Sequence, residues 1–195
     1  VYIANGFKDK EIMEKIQKNK IRYVNMDQKA MDAMLKHNQG IIMDVDDYKY
    51  ATLDSINDDN LVVMLDHLED PHNFGAIIRT CEACGVKNII IPKDRGVTVN
   101  DTVVKTSTGA LSRVNIIMVT NLVSAINELK RDGYFVYSAE ADGEDFRKVD
   151  YNDKKLLVIG SEGNGLSKIV RNNSDVIISI PMKGEVNSLN ASVAA

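Results

Sequence analysis

Runs rich in Val and Ile recur along the last two thirds of the chain, at Leu61–Leu65, Asn88–Ile91, Val114–Val119, Tyr134–Tyr137, Leu156–Ile159 and Val176–Ile180. Each is nearly continuous in apolar residues, the pattern of a strand covered on both faces. Helical patterns separate them, over Gly75–Cys84, Asp101–Leu111, Leu122–Arg131 and Leu166–Arg171. The third puts Leu122, Ile126 and Leu129 on one stripe at i, i+4 and i+7. This alternation predicts an α/β fold, a mostly parallel sheet with helices on both faces. Ligands of such sheets bind beyond the carboxyl ends of the strands, so the residues just after each strand are the place to look for chemistry.

The first 43 residues follow a different rhythm. An apolar start at Val1-Tyr2-Ile3 precedes a charged helix over Lys8–Lys18, a strand at Ile21–Val24, a helix over Asp27–Lys36 and a strand at Gly40–Val45. Asp27 is placed to cap the second helix, whose Met31, Met34 and Leu35 form one apolar stripe. So short a segment rarely buries enough surface to fold alone, and residues 1–43 are expected to be part of a larger accessory domain. Residues 44–60 (DVDDYKYATLDSINDDN) are polar, acidic and aperiodic, the character of a linker to a domain over 61–195. Val1 is not an initiator methionine and a helix only begins near Ala194-Ala195, so both ends are expected to be incomplete.

Composition narrows the class. With 195 residues, 44% apolar and 27% charged, the chain has the make-up of a globular protein. No run approaches the roughly 18 to 20 apolar residues a membrane span needs, and the expected location is the cytoplasm. The net charge of −4 is unevenly placed: residues 44–60 carry six Asp against one Lys, whereas residues 1–43 carry eight Lys or Arg against five acids. A nucleic-acid partner is therefore permitted, because phosphate attraction depends on local patches. Cys81 and Cys84 form a single C-x-x-C with no second pair to complete a zinc site. They read as two reduced thiols packed on a helix, and no metal is expected.

Three strand-end segments concentrate Gly, Asn, Ser and charge where a packed core needs none. The first, Asp66 to Arg79, contains D-P-H-N-F-G-A-I-I-R; Pro71 and Asn73 can end a turn and start a helix, and Arg79 lies on another side of that helix from Asn73. In the second, a strand runs into Gly160-Ser161-Glu162-Gly163-Asn164-Gly165. Its G-x-x-G-x-G order is neither the dinucleotide fingerprint nor a P-loop, yet three glycines permit close approach and Glu162 is an odd choice for a plain turn. The third, Ile180 to Ala195, crowds Asn187, Ser188 and Asn190 into one helix-start turn; a cap explains only one of them.

In order and spacing these segments resemble the three signature motifs of the SpoU (TrmH-type) branch of the SPOUT RNA 2′-O-ribose methyltransferases: D-P-x-N-x-G-A-x-x-R, G-S-E-G-x-G-L-S and I-P-M-x-G-x-x-x-S-L-N-x-S-V-A. Residues 1–43, ending near Asn38-Gln39-Gly40-Ile41, resemble the end of the ribosomal-protein-like RNA-binding domain of members that act on large-subunit ribosomal RNA. The resemblance implies a C-terminal trefoil knot, S-adenosylmethionine as cofactor, RNA as substrate and a homodimer that brings one subunit's arginine to the other's cofactor pocket. It assigns Arg79, Asn73, Glu162, Ser188 and Asn190 to the catalytic centre. Gly160, Ile180 and Leu189 match cofactor contacts, with Met182 beside them and Ser138 or Ala139 after another strand.

The implied reaction is 2′-O-methylation of a ribose, with a guanosine of 23S ribosomal RNA preferred over a tRNA site. A guanidinium stays protonated and holds no acceptor, so the expected role of Arg79 is to clamp a phosphate and ease loss of the hydroxyl proton. Rival readings are a non-catalytic RNA-binding module and a nucleotide-binding enzyme that uses the glycine segment for phosphate.

Overall fold

The computed structural model describes residues 1–185 and 188–195, which divide into two units, Val1–Tyr48 and Lys49–Ala195. In the first, β1 (Tyr2–Ala4), α1 (Lys10–Lys18), β2 (Val24–Met26), α2 (Gln28–Met34) and β3 (Ile41–Ile42) follow in order. Strand β1 is central, parallel to β2 and antiparallel to β3. Asp9 and Asp27 cap the two helices through their carboxylates, satisfying backbone N–H groups a helix start leaves open. Ile3, Ala4, Ile16 and Met31 form the buried centre. Asn38 ties α2 to β3, donating to Asp32 (2.9 Å) and Leu35 O (2.7 Å) and accepting from Gly40 N (2.8 Å). The second strand begins at Val24, three residues later than its apolar pattern predicts.

The second unit contains β4 (Leu61–Asp66), α3 (Pro71–Ala83), β5 (Asn88–Pro92), α4 (Asp101–Thr106), β6 (Asn115–Val119), α5 (Leu122–Arg131), β7 (Phe135–Asp145), β8 (Lys155–Gly160), α6 (Lys168–Asn172), β9 (Val176–Ser179) and α7 (Ala191–Ala194). The strands form one sheet in the order β6-β5-β4-β8-β7-β9, every neighbour parallel. Strand β8 sits between β4 and β7, so a late strand is inserted between two that precede it in the sequence. Val62, Met64, Ile90, Ile117, Val136, Leu156 and Val158 meet the buried stripe of α5 and α6 (Leu122, Ile126, Leu129, Val170), so the α/β expectation holds strand by strand.

Two elements differ from the sequence pattern. Strand β7 runs on to Asp145; its second half is polar, so no apolar pattern marks it, and it follows a shift of register against β9 between Ala139 and Glu144. The later part of the acidic stretch lies against the second unit: Ala51 N donates to Ile116 O (2.8 Å), Tyr50 Oη accepts from Val99 N (2.9 Å), and Leu53 and Ile56 pack on the core. Its few apolar positions are hidden among aspartates, which conceals that contact from a reading of composition.

Helix α3 is fixed by its packing on α4. A side chain at Gly75 would strike Thr106 and come within 3.1 Å of Ser107 N. Gly75→Val is expected to lower unfolding free energy by about 1–3 kcal/mol, as overpacking of a rigid contact does. A lower urea midpoint at unchanged slope is the readout.

Candidate active site

Four strand ends lie side by side at the carboxyl edge of the sheet. Asp66 of β4 is in register with Gly160 of β8, Ile159 of β8 with Ala139 of β7, and Ala139 with Ile178 of β9. After Gly160 the chain turns sharply. Ser161 and Gly165 exchange two backbone hydrogen bonds (3.0 and 2.9 Å), while Gly163 and Gly165 take left-handed φ values of 82° and 64°. A Cβ on Gly160 would collide with the backbone of Gly165 and lie 2.6 Å from Leu166 N, so only glycine lets the turn close. Its tip carries Glu162.

Three distant segments meet at that carboxylate. Asn73 donates from Nδ2 to Glu162 Oε1, and Asn190 donates to the same oxygen at 2.9 Å. Asn73 also donates to Asp70 (2.9 Å), whose other oxygen caps α3 by accepting from His72 N (2.8 Å). Asn190 caps α7, its Oδ1 accepting from Ser192 N (2.9 Å) and Ser192 Oγ (2.6 Å). The single cap that the sequence allows is therefore Asn190, and its amide remains available to Glu162.

Beside this cluster opens a cavity of about 990 Å³, at the upper end of the size of small-molecule sites. Gly160, Ile180, Met182, Ser188 and Leu189 line it, together with Glu162 and Asn190. Ser138 does not: it is fully buried within the sheet and shares a hydrogen bond with Ser174 Oγ (2.6 Å), while its neighbour Ala139 reaches the cavity. A strand alternates its side chains between faces, so one of the two had to point away. Arg79 is exposed on α3, lines no part of this cavity, and its side chain makes no hydrogen bond or ion pair with the described residues. Asn187 lies outside the described residues.

Two acids of the site escaped the sequence reading. Asp66, 1% exposed, accepts from Ser167 N (2.6 Å) at the start of α6 and pairs with His67 Nδ1 (2.5 Å), joining the end of β4 to the exit of the glycine turn. An aspartate closing an otherwise apolar strand was the available signal. Glu140 reaches the cavity from the bulged part of β7 and is ion-paired with Arg171, which also grips Asp142 with two bonds of 3.0 and 2.9 Å. Cys81 is buried, which pushes its thiol up to about 12, and Cys84 is exposed. A thiol so rarely ionised near neutral pH is packing, not a nucleophile. No group of three or more His, Cys, Asp or Glu suited to a metal occurs among the described residues, and no helix among them is long and apolar enough to cross a membrane.

A parallel sheet with a deep apolar cavity and convergent amides at its carboxyl edge defines an α/β protein built to bind a small organic ligand. The particular family follows from comparison. Residues 60–195 match the family described as SpoU rRNA Methylase, and the chain belongs to it. It is 41% identical over 194 residues to YacO of Bacillus subtilis (strain 168), named for the TrmH family of tRNA/rRNA methyltransferases, a match that spans 95% of this chain and 78% of the relative. Among solved structures, the SpoU methyltransferase AviRb from Streptomyces viridochromogenes, in complex with its cofactor AdoMet, superposes with a TM-score of 0.80 at 26% identity, over 99% of this chain and 77% of that one. The A. aeolicus TrmH/SpoU tRNA modifying enzyme matches with a TM-score of 0.63 at 34% identity, over 69% of each chain.

Asp66→Ala removes both acceptors at the β4 end and leaves Ser167 N–H without a partner. A loss of about 1–3 kcal/mol is expected. Asp66→Asn, which can still accept from Ser167, should lose less; urea unfolding of both variants is the check.

Proposed function

We propose that this chain is an S-adenosylmethionine-dependent RNA methyltransferase acting on a ribose 2′-hydroxyl, with a guanosine of 23S ribosomal RNA the preferred target. The observation that carries the reading is the meeting of Asn73, Glu162 and Asn190 at the mouth of the cavity lined by Gly160, Ile180 and Leu189. The cavity fits the cofactor in size and in character: apolar walls for an adenine ring, and backbone edges at Ile180 and Leu189 that suit its hydrogen-bonding rim. Met182 and Ala139 complete those walls. When bound, S-adenosylmethionine supplies a methyl group on a positively charged sulfur. The trefoil threading expected of the family belongs to the same reading, with β8 inserted between β4 and β7.

The protein's own residues then align the reacting groups and ease loss of the hydroxyl proton. Glu162, held by two amides, fixes the position of Asn73 and Asn190, and Ser188 adds a hydroxyl at the same mouth. Arg79 donates two parallel N–H groups to the phosphate next to the target ribose and lowers the proton affinity of the 2′-hydroxyl. The proton leaves to a phosphate oxygen or to water, since a guanidinium has no acceptor. Arg79 is exposed and lines no part of its own cavity, which supports a homodimer in which it serves the partner's site. Exposed Ile180, Met182, Leu189 and Val193 beside the cavity provide apolar surface for that contact. The basic balance of residues 1–43 supports ribosomal RNA as substrate, with the first unit as an RNA-binding module in the cytoplasm.

Calorimetry is expected to show S-adenosylmethionine binding where ATP and NAD do not. Methyl-labelled cofactor with unmodified 23S ribosomal RNA should yield a 2′-O-methylated nucleoside on digestion. Label recovered on a base, or no cofactor binding, would refute the reading. Arg79→Lys is expected to slow single-turnover methylation about a hundredfold while cofactor affinity holds, because a lysine offers no planar fork. A near-normal rate would show that the two-pronged contact is dispensable.

A further inference from the structure

The turn that follows β5 carries exposed cations that the site described above does not use. Lys93 and Arg95 stand at the carboxyl edge of the sheet, with Asp94 between them, and all three are exposed. Neither cation makes a hydrogen bond or ion pair through its side chain with the described residues. The turn itself is pinned at both ends: Lys93 N donates to Val119 O at the end of β6 (2.8 Å), and Val97 N donates to Leu68 O in the segment after β4 (2.7 Å). Gly96 folds back on Pro92, where a Cβ would lie 2.9 Å from Cγ. Arg95 adopts a left-handed φ of 54°, a conformation costly for a side chain of its size.

Register places this turn relative to the methylation site. Met64 of β4 pairs with Ile90 of β5, and two residues further along are Asp66 and Pro92. Asp66 is level with Gly160 on the other side of β4. Two strand spacings, about 10 Å, therefore separate the glycine turn from the start of the Lys93–Gly96 turn. That span corresponds to roughly one or two nucleotides of an RNA backbone crossing the edge of the sheet.

We propose that Lys93 and Arg95 clamp an RNA phosphate one or two nucleotides from the methylated ribose. The inference rests on the reading of this chain as an RNA methyltransferase and adds to it a track along the carboxyl ends of β8, β4 and β5. The turn is built before RNA arrives, so the two cations are held in place at little further cost in backbone entropy. The phosphate contacts position the strand and read no base.

The test is the salt dependence of binding to a fluorescein-labelled 20-nucleotide single-stranded RNA, followed by anisotropy. Neutralising both side chains (Lys93→Gln with Arg95→Gln) should reduce the slope of log K against log salt by about 1.4, near 0.7 for each cation removed from the phosphates, and weaken binding about tenfold in low salt. Arg95→Gly suits the left-handed backbone and should lose half of that slope, separating lost charge from a distorted turn. Lys87→Gln, just before β5 at the opposite edge, should leave the slope unchanged, and S-adenosylmethionine affinity should be unchanged in every variant. Equal slopes for the double variant and a wild-type chain that methylates RNA overturn the clamp alone. A wild-type chain that binds neither S-adenosylmethionine nor RNA overturns the underlying reading, and the clamp with it.

Discussion

One carboxylate oxygen organises the carboxyl edge of this protein. Glu162 Oε1 accepts from the amides of Asn73 and Asn190, residues 89 and 28 positions away along the chain. A carboxylate oxygen can accept more than one hydrogen bond, so the two amides and the acid hold each other in one arrangement. The tip of the glycine turn reaches that position only because the backbone at Gly160 can touch that of Gly165 and Leu166. The meeting of these side chains depends on this steric permission followed by these shared hydrogen bonds.

The supports behind the cluster follow the same logic. Each donor that Glu162 uses belongs to a residue occupied in starting a helix: Asn73 leans on Asp70, the cap of α3, and Asn190 caps α7 itself. Asp66 does the equivalent for α6 through Ser167 N. Three helix starts and one turn thus share a small set of side chains at the edge of the sheet. Side-chain amides of residues at two helix starts supply the donors to Glu162, which sits at the tip of the glycine turn.

Much of this was legible in the sequence. The six strands announce themselves because both faces of a parallel sheet are buried, so their residues are apolar without alternation. Asn73, Glu162 and Asn190 stood out as polar residues at strand ends, and they converge. What escaped had weaker local signals. The polar half of β7 carries no apolar pattern, so Glu140 and its partner Arg171 were invisible. Ser138 and Ala139 alternate across the strand, and nothing in a single sequence says which face holds the cavity. Arg79 was legible as a motif cation, but nothing in the sequence says that it lines no part of the cavity. Asp66 was missed because a lone acid after an apolar run resembles any turn. Pairing between β4 and β8, strands far apart along the chain, is what gives it meaning.

Charge raises a last question, since a protein of net charge −4 is here assigned to RNA. The answer lies in where the acids of residues 50–60 are anchored. Asp59 contacts Asn88 at the start of β5 (2.5 Å) and accepts at its backbone oxygen from Tyr134 Oη just before β7 (2.6 Å), while Asp58 pairs with Lys154 just before β8 (2.8 Å). These are the amino ends of the strands. Glu162, Asn73, Lys93 and Arg95 stand at the carboxyl ends. Strand β4 has six residues, which at about 3.3 Å each separates the two edges by nearly 20 Å. Salt at physiological strength screens charge over about 8 Å, so Asp58 and Asp59 exert little repulsion on a polyanion at the carboxyl edge. The sheet therefore works as a spacer as well as a scaffold, and its net charge says less about its partner than the end of the strand on which each charge is mounted.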